Sequence, residues 1–388
     1  MSKWAFMEAA LAARRERMQL RRLETIDGGT GAAIEISGRR MLNFCSNDYL
    51  GLARHPLLQQ RAADYLARYG TGSGSSRLIC GNHAYFGPVE ERLARLKGTE
   101  AALVFNSGFQ ANATILPALA DRETLILSDR LNHNSLIQGA RLARCRVEIF
   151  AHNDMARLAE LLERHRPSFR RILIVTESVF SMDGDLCPLA EIAALAQAAG
   201  AILVVDEAHA TGVIGSQGMG LTCGQAVDVA IGTFSKACGG FGAYVAGSRQ
   251  LCDYLINCCA GIIYSTALPP AVLGAIDGAL ALIPGMQAER SRLHAHADRL
   301  RTALKRMGWD CGPSSTQIIP VLVGSESETL ALSQWLGAHG IYASAIRPPT
   351  VEKEKSRIRL AVTALHTEED IERVIRAFGE WKNSACHE

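Results

Sequence analysis

The chain has 388 residues, 48% of them hydrophobic and 21% charged, and a net charge of +2. That length holds two or three domains with a large core, and the near-balance of charge excludes a surface built mainly for nucleic acid or anionic membrane. No apolar run reaches the ~18–20 residues of a membrane span, because the best candidate, Ala271 to Ile283, carries Asp277.

Residues 4–23 read as a basic amphipathic helix. Glu8 and Glu16 lie within it and no apolar stretch ends in small residues, so it does not read as an export signal. Strand-like pieces follow at Ala33–Ile36 and Met41–Cys45, then a helix from Pro56 to Tyr69 that the run Gly70-Thr71-Gly72-Ser73-Gly74 stops. From residue 101 short β-rich runs alternate with helical stretches: Ala101–Phe105, Thr124–Ser128, Arg146–Phe150, Arg171–Thr176, Ala201–Asp206, Val227–Gly232 and Gly242–Ala246. Several are apolar throughout, which belongs to strands covered on both faces of a mostly parallel sheet. The predicted class is α/β, with a seven-stranded sheet and an active site beyond the carboxyl ends of its strands. A long helix over Pro284–Met307 leads to an α+β alternation: Gln317–Val323, Glu326–His339, Arg357–Val362 and Thr367–Trp381. The organisation read from this is residues 1–50 as an N-terminal helix and small β segment, 51–283 as a large domain, and 284–388 as a small C-terminal domain. The 11 cysteines are scattered with no Cys-x-x-Cys pair, which fits reduced thiols of a cytoplasmic protein and offers no zinc site.

Lysine usage is the first chemical signal. There are 34 arginines and seven lysines, and between residues 98 and 304 there are 15 arginines and one lysine, Lys236. Arginine cannot give up its proton, whereas lysine can become a neutral amine nucleophile. Lys236 follows an apolar strand in Thr233-Phe234-Ser235-Lys236, with glycines just beyond. Asp206 ends the most apolar strand, and His209 stands three residues on. Ser107 and Gln110 fit a capping box opening a helix directly after a strand, where free N–H groups suit an anion. His133, in the loop after Thr124–Ser128, suits stacking on an aromatic ring or a purely structural place. An amine, a strand-end carboxylate, a neighbouring imidazole and an anion site together meet the needs of pyridoxal 5′-phosphate (PLP). A nicotinamide dehydrogenase is disfavoured, because the Gly70-x-Gly72-x-Gly74 run follows a helix, not a strand.

The motifs Asn47-Asp48-Tyr49-Leu50-Gly51, Gly72-Ser73-Gly74, Asn106-Ser107-Gly108-Phe109, Phe180-Ser181-Met182-Asp183-Gly184-Asp185, Asp206-Glu207-Ala208-His209, Thr233-Phe234-Ser235-Lys236 and Tyr264-Ser265-Thr266-Ala267-Leu268-Pro269-Pro270 occur in order along nearly the whole chain. In these the sequence resembles the α-oxoamine synthases, PLP-dependent transferases of fold type I. The segment Ala345-Ile346-Arg347-Pro348-Pro349-Thr350-Val351 is most similar to the branch that makes 8-amino-7-oxononanoate for biotin. A sibling activity such as glycine C-acetyltransferase is the alternative.

The resemblance implies the site. Lys236 holds the PLP aldehyde and moves protons at the substrate Cα. Asp206 pairs with the ring nitrogen, His209 and Ser181 address the ring oxygen, and His133 stacks on the ring and meets substrate. Gly108, Phe109 and Thr233 hold the cofactor, and Thr266 reaches the phosphate of a partner subunit in a homodimer with shared sites. Arg359 binds the amino-acid carboxylate, with Asn47 beside the substrate, and Arg21 and Thr350 contact the acyl substrate or product. The implied reaction is decarboxylative condensation of L-alanine with pimeloyl-CoA or pimeloyl-acyl carrier protein. Arg14, Arg15, Arg17, Arg21 and Arg22 suit either an acidic carrier protein or a solvated face docked on the partner subunit. The sequence departs from the family pattern at Phe86, where many members carry His, at Glu352-Lys353-Glu354-Lys355, which replaces a Pro-x-Gly turn, and at Ala361.

Overall fold

In a computed structural model, which describes residues 2–385, the chain forms two compact units. The larger runs from Leu50 to Ser181 and from Asp185 to Arg290; the smaller takes the residues up to Tyr49, Met182–Gly184 and those from Ser291 on.

The larger unit is built on a seven-stranded sheet in the order Ala101–Phe105, Ala243–Gly247, Val229–Thr233, Ile202–Asp206, Arg171–Glu177, Thr124–Asp129, Arg146–Phe150. All neighbours are parallel except Ala243–Gly247, which is antiparallel to both of its own. Each of the seven β-rich runs forms one of these strands, with ends shifted by at most two residues. Side chains alternate between two cores, as a strand period of two demands. Leu173, Val175, Val204 and Ile231 enter one core, and Ile172, Ile174, Leu203 and Val205 the other. Phe105, Asp129, Glu177, Asp206 and Thr233 therefore end strands at one common edge of the sheet.

Flanking helices begin and end where local chemistry dictates. Pro56–Tyr69 opens with Pro at its first position, His55 Nδ1 accepts from the Leu57 N–H at 3.2 Å, and Gly70 closes it with φ 86°. The apolar Pro270–Leu282 is a buried core helix. A Cβ at Gly274 would stand 2.3 Å from the Arg61 carbonyl oxygen, and Asp277 is ion-paired to Arg61 at 3.0 Å and Arg92 at 2.7 Å. Among the described residues no single helix is long and apolar enough to cross a membrane. The ten described cysteines are all free thiols.

In the smaller unit the strands Gly28–Thr30, Ala33–Ile36, Arg39–Asn43 and Ile341–Tyr342 form one sheet, and Ile318–Gly324, Ser356–Ala361 and Ser344–Ile346 another. Here the sequence-based expectations need two corrections. The N-terminal helix covers Ala5–Glu16 only, although the residues up to Leu23 are good helix formers. Met18 turns to φ 52°, its carbonyl accepts from Arg347, and Arg21 donates to Thr350, so tertiary contacts override propensity. The strands Gly28–Thr30, Ile341–Tyr342 and Ser344–Ile346 were not foreseen, each being three residues long or shorter, the last cut off by Arg347-Pro348-Pro349.

Candidate active site

At the common sheet edge of the larger unit lies a cavity of about 230 Å³. It is lined by Gly108, Phe109, His133, Asp206, His209, Thr233 and Lys236, all foreseen from sequence, and by Ser107, Asn112, Ser135, Glu177, Ala208 and Ser235.

Lys236 follows the Val229–Thr233 strand and places its Nζ 2.8 Å from His209 Nε2. Asp206, buried at its strand end, is held on both oxygens: Oδ1 accepts from the Ala208 N–H at 2.8 Å and Oδ2 from Asn112 Nδ2 at 2.6 Å. The amide of Asn112 also donates to Ser135 Oγ at 2.9 Å.

His133 caps the helix Asn134–Leu142, its Nδ1 accepting from the Ser135 N–H at 3.2 Å and lying 2.7 Å from Ser135 Oγ. Burial lowers the His133 pKa, with Lys236 adding to that and Asp206 opposing it, so the imidazole is neutral at neutral pH. Its backbone N–H donates to Glu177 Oε1 at 2.5 Å. Glu177 is the register partner of Asp206 on the adjacent strand. Burial first, and the Asp206 charge second, push its carboxyl well above the usual range.

Ser107 Oγ accepts from the Gln110 N–H at 3.2 Å and opens the helix Gly108–Leu119. The second half of the expected capping box is displaced by one residue, because Gln110 Oε1 accepts from the Asn106 N–H. Thr233 Oγ1 donates to the Gly242 carbonyl at 2.8 Å and lies 2.7 Å from Ser235 Oγ. Ser181 is buried in the turn after Val179 and does not line the cavity, and the Thr266 carbonyl accepts from Asn106 Nδ2 at 2.8 Å outside it. In the smaller unit the remaining candidates meet in pairs. Arg359 Nη2 donates to Asn47 Oδ1 at 3.3 Å, and Arg21 Nη2 to Thr350 Oγ1 at 2.9 Å. At the departure from the family pattern, Phe86 is buried with the Arg77 guanidinium 4.2 Å from its ring centre.

Asn112 and Glu177 escaped the sequence reading. Asn112 is a single polar residue on the buried face of an apolar helix, and Glu177 ends an apolar strand just as Asp206 does. Those two patterns were the available signals.

The donor set fits PLP. One amine can take the aldehyde, a carboxylate fixed on both oxygens can take the ring N–H, and a flat neutral imidazole offers a stacking face. The start of a helix offers its N–H groups to the phosphate. A Cβ on Gly108 would stand 3.8 Å from Thr233 Cβ, and both residues line the cavity.

The model of aminotransferase class I and II matches residues 39–378. A putative 8-amino-7-oxononanoate synthase of Desulfosudis oleivorans is 59% identical over 98% of this chain and 100% of its own. The 8-amino-7-oxononanoate synthase of Gluconacetobacter diazotrophicus is 50% identical over 96% of each chain. Among solved structures, a serine palmitoyltransferase variant from S. paucimobilis with bound PLP and myriocin superposes with TM-score 0.93 at 26% identity, covering 99% of both chains. Fold and pocket define a PLP-dependent enzyme of fold type I, an acyltransferase. Within aminotransferase class I and II, the chain belongs to the family of 8-amino-7-oxononanoate synthases.

Proposed function

We propose that the protein condenses L-alanine with a pimeloyl thioester, on coenzyme A or an acyl carrier protein. The products are 8-amino-7-oxononanoate, carbon dioxide and the free thiol, a step of biotin synthesis carried out by a homodimer. The observation that carries this reading is one lysine amine lining the same cavity as a doubly fixed carboxylate, in a chain so similar to the named synthases.

Bound PLP supplies an aldehyde that holds the amino acid covalently and a ring that takes up the electron pair released at Cα. Lys236 would hold that aldehyde until the substrate's amine displaces it, and the freed amine would take the Cα proton and later return one. His209 Nε2 holds the amine in place. Asp206 accepts the ring N–H, and the bonds from Asn112 and Ala208 keep it from turning away. His133, neutral, stacks without adding a competing charge. The charge of Arg359 suits the alanine carboxylate, with Asn47 next to it, while Arg21 and Thr350 suit the acyl chain or its product. Thr266 serves the phosphate of the partner's site, and Ser181 the ring oxygen.

The experiment is product analysis by mass after mixing the PLP-loaded protein with L-alanine and pimeloyl-CoA or pimeloyl-acyl carrier protein. 8-Amino-7-oxononanoate is the expected product. Turnover of glycine with acetyl-CoA, and none with alanine and either pimeloyl thioester, overturns the proposal.

A further inference from the structure

His152 lies outside the PLP cavity, immediately after the edge strand Arg146–Phe150 and Ala151. Both of its ring nitrogens face carboxylates: Nδ1 is 3.0 Å from Asp129 Oδ1 and Nε2 is 2.8 Å from Asp185 Oδ2. A neutral imidazole has one donor and cannot satisfy two carboxylates, whereas an imidazolium satisfies both. The two carboxylates outweigh the cost of burial and raise the His152 pKa to about 9.

Each aspartate shapes a segment that carries a residue proposed to meet the cofactor. Asp129 ends its strand and folds the turn leading to His133: Oδ1 accepts from the Leu131 N–H at 2.8 Å, and the Asp129 carbonyl accepts from the Asn132 N–H at 3.2 Å. Asp185 closes the turn that contains Ser181, its carbonyl accepting from the Phe180 N–H at 3.0 Å. The His152 ring also meets the Phe180 ring edge to face, with centroids 4.3 Å apart. One side chain thus ties together the segment before His133 and the residues flanking Ser181. Asn153 reinforces the tie, its N–H donating to Asp129 Oδ2 at 3.0 Å and its amide to Asp185 Oδ2 at 3.1 Å.

We propose that His152 is a positioning residue for the PLP site, a charged clamp that fixes the His133 segment against the Ser181 turn. The proposal rests on the reading of His133 as the stacking residue and Ser181 as a ring-oxygen partner. Nothing in it depends on the acyl substrate.

The test is PLP titration of the full chain, reading dissociation constant and visible spectrum for the wild type, His152→Gln, and His152→Gln combined with Asp129→Asn and Asp185→Asn. Glutamine is neutral and leaves the two carboxylates facing each other uncompensated. A folded His152→Gln protein, by far-UV circular dichroism, is expected to bind PLP about tenfold more weakly, an effect on the scale of one charge-assisted hydrogen bond. The absorbance maximum of its bound cofactor shifts, because the His133 ring that stacks on it loses its fixed place. The triple variant, with no charges left to compensate, recovers affinity relative to His152→Gln. Wild-type affinity and spectrum in His152→Gln, or a weakening with an unchanged spectrum that the triple variant does not reduce, overturns the proposal. Should His152→Gln fail to fold, Asp185→Asn, which leaves His152 paired to Asp129 alone, is read by the same criteria. Absence of 8-amino-7-oxononanoate in the product assay overturns the reaction proposed above and leaves this titration standing.

Discussion

Lys236 shows what one side chain discloses without a structure. Its amine was legible because a lysine stood alone among arginines, and the chemistry of the two cations differs in one respect: only lysine can become neutral. Lys236→Arg keeps the charge and removes that capacity. Turnover is expected to fall at least about a thousandfold, in line with the loss of a nucleophile, together with the visible band of the bound cofactor. Residual activity above one tenth of wild type would show that another group does this work. Asn112 and Glu177 were not legible, because their importance depends on which strand and which helix stand next to Asp206, and spacing does not carry that. A second residue-scale effect concerns His366 in the smaller unit. Its ring stacks on Phe44 at 4.1 Å, Nδ1 accepts from the Thr363 N–H at 3.0 Å, and Nε2 lies 3.2 Å from the Asn43 carbonyl, a pattern that the neutral ring alone fulfils. Burial drops its pKa from 6.5 to about 4. A histidine with a depressed folded pKa contributes stability that is complete above the unfolded value and lost as pH falls through the folded one. Stability should therefore decline between pH 6.5 and pH 4, by up to about 3 kcal/mol. His366→Gln should be less stable at pH 7 and show a flatter decline over that window; a variant with the wild-type pH slope would remove His366 from the account.

At the scale of elements, the site depends on how closely two helices approach. Gly108–Leu119 carries Asn112, Asn134–Leu142 carries Ser135, and the two helices touch at Gly139, where a Cβ would stand 2.2 Å from the Asn112 carbonyl oxygen. Two effects compete in Gly139→Ala. Helix propensity favours alanine by about 1 kcal/mol. Overpacking against a neighbour costs roughly 1–3 kcal/mol, and here the obstacle is backbone, which no rotamer change relieves. Sterics win, so the variant should lose about 1–2 kcal/mol in denaturant unfolding and bind PLP more weakly, since moving Asn112 loosens its 2.6 Å bond to Asp206. A rise in the denaturation midpoint would mean that the helices separate freely. Helix starts were legible where a cap announces them, as at Pro56 and Ser107. The end of the first helix was not, because Arg347 and Thr350, which hold the chain after Glu16, come more than 300 residues later.

For the molecule as a whole, legibility divides by range. The seven strands of the large sheet were readable because each is a local β-rich run, several of them apolar throughout, and only their order needed the structure. The grouping of the first 49 residues with the C-terminal part was not readable, since it rests on the parallel pairing of Leu42 and Asn43 with Ile341 and Tyr342. This division has a measurable consequence. All residues lining the PLP cavity belong to the larger unit, whereas the four tryptophans, Trp4, Trp309, Trp335 and Trp381, all belong to the smaller. A ligand that binds only the native state adds about 2.7 kcal/mol at one hundred times its dissociation constant, which for a unit of this size raises the melting midpoint by roughly 5–10 °C. PLP at that excess should therefore raise the far-UV melting midpoint of the cofactor-free protein by this amount. At the same PLP concentration the gain should be smaller in Lys236→Ala, which retains the contacts of the cavity and loses the covalent one. The four tryptophans lie in the unit that contains His366, so the acid destabilisation assigned to His366 should appear in tryptophan fluorescence. A far-UV midpoint that PLP leaves unmoved would show that the native cavity does not take the cofactor. Equal gains in wild type and Lys236→Ala would show that the lysine contributes nothing to holding it.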